Sequence, residues 1–321
     1  MLRLLAVAAV IAVAVRFIFL VKARKSSPKV GPATATGSAD SVVTASGDHA
    51  MGAAQRRAVA AVVLSILVFI GLAYMSAAMP HLAGLPLAAA PGLAVSAGLL
   101  LFAALPPTTM TRGNGGLVPR NTPSFNMRRT FAAPVAVAVV FVAFLVATGL
   151  TSSQDELGRY RELSASDFST MAVSSPYPGW YYGLPLIAVT AVLVTSVYLA
   201  LRRVAATSAL GDPLLAHQDR KWREITTRVL VRLGTGTLLG YLGGTALITG
   251  LSAATLSTAF DVEGHGYEQS LHSTGITITV IGAAMALLGV VLLVLAADRA
   301  LTIRSTVARV PGAESGPAGA A

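Results

Sequence analysis

Carboxylates and imidazoles, the side chains that hold divalent metals, gather in one short segment: Asp261, Glu263 and His265, with Glu268 and His272 close behind. Divalent ions favour such ligands. Their spacing matches no zinc signature, and a water-facing loop carries polar residues without any metal. Asp261, Glu263, His265 and His272 are therefore candidate ligands, with solvation as the competing reading. A second segment, 151–182, carries Asp155, Glu156, Arg159, Arg161, Glu162 and Asp167, then Tyr177, Trp180, Tyr181 and Tyr182. Trp and Tyr just before an apolar stretch are what a membrane–water interface selects. A carbohydrate or peptide platform is the other use of such a run.

Other chemistry is sought and not found. The chain has no cysteine, so it offers no disulfide, thiolate ligand or Cys nucleophile. It contains no H-E-x-x-H, G-x-S-x-G or G-x-x-x-x-G-K-[ST]. All five histidines (His49, His81, His217, His265, His272) lie outside the apolar stretches. No cofactor motif and no enzyme are expected.

The elements that would position these residues are membrane spans. Hydrophobic residues make up 54% of the chain and charged ones only 12%, where a soluble domain carries about 25% charged. Stretches of about 20 apolar residues, the length needed to cross the hydrocarbon, fall at 4–21, 58–79, 87–105, 130–150, 183–201, 233–253 and 274–297. None contains Asp or Glu, the usual carriers of intramembrane ion and proton paths. The expected fold is an all-α polytopic transmembrane helix bundle of about seven spans.

Basic residues orient it. Segments 22–57, 106–129, 202–232 and the tail hold all 24 Lys and Arg except Arg3, Arg16, Arg159 and Arg161. Positive loops stay in the cytoplasm, which puts the amino terminus outside and the carboxyl terminus inside. The net charge of +10 is scattered between spans rather than gathered on one face, so nucleic acid is not an expected partner. The first stretch reads as a retained anchor, because its charges lie at the wrong end for a signal peptide and no small-x-small site follows. Arg16 is close enough to its inner end to snorkel.

The expected organisation is an anchor helix at 1–25 and a Ser/Gly/Pro-rich cytoplasmic linker at 26–55. A six-helix body of three hairpins follows at 56–309, and a disordered tail at 310–321. Gly84-Leu85-Pro86-Leu87 and Gly183-Leu184-Pro185-Leu186 echo each other at the openings of two spans, either as a repeat or because Pro suits a first helical turn. Gly236, Gly240 and Gly244 are four apart and predict a face where a neighbouring helix approaches closely. Segment 212–232 carries Leu215, Trp222, Ile225 and Val229 as a stripe beside Arg220, Lys221, Arg223 and Arg228. It predicts a basic amphipathic helix at the inner leaflet, drawn by anionic lipid and anchored by Trp222; a docking helix for a protein would share the pattern.

The Tyr-Tyr-Gly-Leu-Pro-Leu entry to the fifth span and the following Leu201-Arg202-Arg203 resemble uncharacterised multi-pass membrane proteins of high-GC, actinobacterial-type bacteria. That resemblance implies no activity. The expectation is an integral protein of the cytoplasmic (cell) membrane, non-enzymatic, working through helix packing and an unidentified partner. The alternative is a transporter or permease subunit for an apolar or neutral solute, driven by a separate subunit if active.

Overall fold

The computed structural model describes residues 57, 60–105, 127–166, 171–206, 213–259 and 267–308. Six helices among them are long and apolar enough to cross a membrane. They are α1 (Ala60–Ala78), α2 (Leu85–Ala104), α3 (Met127–Leu150), α4 (Trp180–Ala206), α5 (Pro213–Ala259) and α6 (Tyr267–Ala308). The anchor and linker expected at 1–55 and the tail at 310–321 lie outside the described residues. Leu67, Ile70, Tyr74, Val139, Leu184, Val280 and Leu287 stand exposed on the outer helix faces. A surface this apolar is one that lipid covers.

Two features depart from a bundle of helices alone. Between α3 and α4 the chain folds an antiparallel sheet of three strands in order β1 (Ser153–Gln154), β2 (Tyr160–Ser166), β3 (Met171–Ser174). The expected all-α fold thus gains a small β cap. The β1–β2 turn uses Gly158 at φ 73°, a conformation cheap only without a Cβ. The second departure is α5, one helix of 47 residues, about 70 Å long at 1.5 Å per residue. From Pro213, segment 212–232 runs without a break in helical assignment into the apolar stretch expected at 233–253.

The interior is layered along the bundle. At one level Leu193, Val197, Leu201 and Leu238 are fully buried among Leu99, Ala138, Val204 and Leu230. The next level contains Ala89, Phe141, Leu145, Leu186, Val189, Tyr241 and Leu242. Phe69 packs α1 onto Ala90 and Ala94 of α2. Several buried hydroxyls bond their own helix: Ser96 donates to the Gly92 carbonyl, Thr190 to Leu186, Thr237 to Leu233 and Thr249 to Thr245. This self-bonding lets Ser and Thr enter an apolar core without a ligand.

The two Gly-Leu-Pro-Leu echoes occupy different positions. Pro86 sits in the first turn of α2, whereas α4 begins at Trp180 and carries Pro185 inside it.

Candidate functional site

The β cap is held by one carboxylate. Asp155 Oδ1 accepts the backbone N–H groups of Leu157 and Arg159 at 2.9 and 2.8 Å. Its Oδ2 accepts Nε of Arg159 at 3.1 Å and Nε of Arg161 at 2.5 Å. Burial alone would push this carboxyl up. The hydrogen bonds from the Arg159 amide, Arg161, the Arg159 side chain and the Leu157 amide outweigh it and hold the group at about 2. Arg159 also reaches out of the sheet, donating Nη1 to the His81 carbonyl at 3.1 Å.

The aromatic run expected at the membrane–water interface packs beside this cap. Tyr181 and Tyr182 donate their hydroxyls to the carbonyls of Leu82 and Ala83, at 3.1 and 2.7 Å. These carbonyls belong to the turn joining α1 to α2, in which Ala83 and Gly84 are both left-handed. Arg159 stacks over Tyr181, 5.4 Å from the ring centroid. Trp180 lies against Gly149, where a Cβ would stand 2.6 Å from its ring. These aromatics therefore join the α1–α2 turn, α3 and the sheet. Trp222 lies in α5, but its side chain is outside the described set.

Of the metal candidates, Asp261, Glu263 and His265 lie outside the described residues. His272 stands 3.0 Å through Nδ1 from Ser257 Oγ. Ser257 Oγ also lies 2.7 Å from the Ala254 carbonyl, to which it can donate. Among the described residues no three His, Cys, Asp or Glu side chains gather as a metal site.

The geometry sorts the glycine face. At Gly236 a Cβ would stand 3.0 Å from the Gly289 carbonyl; the Gly240 backbone also lies against α6, 2.7 Å from where a Cβ at Gly289 would stand, but the Cβ directions of Gly240 and Gly244 themselves are open. The α5 positions whose own Cβ would meet α6 are seven apart. A Cβ at Gly243 would meet the Gly282 carbonyl at 2.6 Å, and one at Gly250 would meet the Gly275 carbonyl, also at 2.6 Å. Gly236, Gly243 and Gly250 of α5 thus face Gly289, Gly282 and Gly275 of α6, in antiparallel order. Helix rotation explains the spacing. Steps of four turn about 40° off the seam each time at 3.6 residues per turn. Steps of seven drift only about 20°.

One arrangement is absent from the sequence reading. Tyr241 of α5 inserts its hydroxyl against α2 beside Pro91, accepting the Gly92 N–H at 2.6 Å and donating to the Ala89 carbonyl at 2.9 Å. Proline lacks an N–H and its ring crowds the carbonyl four residues back, which loosens a helix at that point. The loosened turn offers an amide to another helix. Only glycine fits there, since a Cβ at position 92 would lie 2.7 Å from the Tyr241 oxygen. Phe141 stacks parallel to the Tyr241 ring at 5.8 Å. A proline inside one span and a lone tyrosine in the middle of another were the available signals; their pairing was not.

No protein-family model matches the chain, and neither the curated proteins nor the solved structures gave a match. The spans, the cap and the Tyr241 joint are therefore what bears on function.

Proposed function

We propose that the chain is a non-enzymatic integral protein of the cytoplasmic membrane, amino end outside and carboxyl end inside, that works by holding a partner. The observation that carries this reading is the unbroken length of α5. Crossing the hydrocarbon takes about 20 residues, so the turns bearing Arg220, Lys221, Arg223 and Arg228 continue past the bilayer as a rigid basic rod. A continuous helix carries these basic turns beyond the apolar stretch at 233–253. That favours a protein partner with an acidic face, while anionic lipid meets the membrane-proximal turn at Arg232. The likeness to uncharacterised multi-pass proteins of high-GC bacteria agrees with this reading and adds no activity.

Co-purification from native membranes in mild detergent tests it. Arg220→Glu with Lys221→Glu should lose a partner that the unaltered chain retains, with membrane insertion unchanged. A partner set indifferent to the charge reversal sinks the proposal. Reporter fusions should place residues 40, 118, 215 and the carboxyl terminus in the cytoplasm, and residues 165 and 265 outside. Residue 40 found outside would overturn the anchor assigned to 4–21.

The Tyr241 joint supports a second reading, a permease subunit for an apolar or neutral solute. Membrane transporters move about weakened or interrupted helices near the bilayer midplane, and α2 carries Pro91 inside its helical run. Co-purification of an ATPase, with solute uptake into proteoliposomes, would favour this reading over the first.

A further inference from the structure

The seam between α5 and α6 continues past the apolar stretch. Gly236, Gly243 and Gly250 face Gly289, Gly282 and Gly275, so each step of seven back along α5 is met by a step of seven forward along α6. One more step reaches Val229 and Ala296, and a second reaches Trp222 and Ile303. Both helices are continuous over these positions, α5 from Pro213 and α6 to Ala308. Ala296 is buried. Of the described elements, α6 packs on α5 far more than on any other, so α5 is what covers that alanine.

The residue types on the seam change as the solvent does. In lipid no hydrophobic effect joins two helices, and association needs backbones close enough to pack, which glycine allows. In water, apolar side chains repeating every seven residues join helices by burial. On α5 the stripe turns from Gly236 to Val229 and Trp222, and on α6 from Gly289 to Ala296 and Ile303. The remaining faces of α6 change with it. Val290, Val291, Val294 and Leu295 are apolar and exposed, whereas Asp298, Arg299, Arg304 and Ser305 follow in the sequence. A helix apolar all round suits lipid; one with a single apolar stripe needs a cover for it.

We propose that α5 and α6 leave the bilayer together as an antiparallel two-helix stalk, in which residues 296–307 of α6 cover the α5 stripe of Trp222 and Val229. A stripe so covered is closed to lipid and to an apolar partner. What the stalk offers is charge. At about 100° per residue, Arg220 and Arg228 on α5 and Arg304 on α6 fall off the seam, so a partner with an acidic face would meet both helices. That last step rests on the partner reading given above; the stalk itself does not.

The chain has no cysteine, so an introduced pair is the only one present. The full chain in mild detergent receives a protease site between Ala259 and Tyr267, with Trp222→Cys and Ile303→Cys across the seam. The reference carries Glu224→Cys, an exposed position on the opposite face of α5, with Ile303→Cys. After mild oxidation and cleavage, the seam pair should hold the two fragments together on a non-reducing denaturing gel, and the reference pair should release them. Release by the seam pair as complete as by the reference overturns the stalk. A band of two joined chains assigns the stripe to a second copy and overturns it as well. If Trp222→Cys does not fold, Thr226→Cys, one turn along on the same side, replaces it and is read by the same criterion. The partner is scored separately: Arg304→Glu should lose whatever Arg220→Glu with Lys221→Glu loses. A partner lost by the α5 reversal alone overturns the shared charged face. An intact cross-link in a chain that recruits no partner supports the stalk and counts against the function proposed above.

Discussion

Tyr241 is the side chain through which α5 and α2 share polar bonds in the interior, whereas the threonines around it return theirs to their own helix. Tyr241→Phe keeps the ring on Phe141 but removes the acceptor of the Gly92 N–H and the donor to the Ala89 carbonyl. An unsatisfied buried group costs about 1–3 kcal/mol. The melting temperature in detergent should fall clearly below that of Tyr74→Phe, a change at a tyrosine 74% exposed; equal melting would dismiss the joint. Asp155 makes a second prediction at this scale. Its carboxyl is held at about 2, against about 3.9 in an unfolded chain. A depressed pKa contributes stability that is fully present above about pH 4 and is lost as pH falls through about 2. In a Trp222→Phe background, Trp180 fluorescence should report loosening of the cap over that window. Asp155→Asn should show the loosened signal already at pH 6.

The α5–α6 pair shows what a helix element needs that a residue does not reveal. Its seam is a set of backbone-to-backbone approaches, so a single methyl is felt. Gly243→Ala and Gly282→Ala should each destabilise by about 1–3 kcal/mol, the usual cost of overpacking. Gly240→Ala and Gly244→Ala, whose Cβ would enter open space, should be neutral or stabilise by about 0.4–1 kcal/mol, because alanine restricts the unfolded chain. Thermal unfolding of the four variants separates the seven-residue seam from the four-residue one. The sequence contained both patterns in one span. Only the matching heptad on α6, Gly275, Gly282 and Gly289, distinguishes them, because a seam needs both its sides.

At the scale of the whole molecule, a bilayer imposes on sequence what it imposes on structure. Every backbone group must be satisfied within the lipid, which restricts spanning segments to helices of about 20 apolar residues. Six of the expected spans could therefore be read from composition and length alone, and each recurs within a helix, although α5 and α6 run well beyond the expected bounds. Beyond the hydrocarbon that constraint ends. The strands at 153–174 did not announce themselves, since a polar loop and a small sheet share composition. Nothing local told that Tyr181 and Tyr182 would bond the α1–α2 turn. Length and hydropathy determined where the chain meets lipid, because transfer into hydrocarbon is a property summed along one segment. Tertiary structure alone decided which glycines touch, where Tyr241 finds its partners and how the cap closes. Those depend on distances between segments far apart in sequence, which no single stretch of residues encodes.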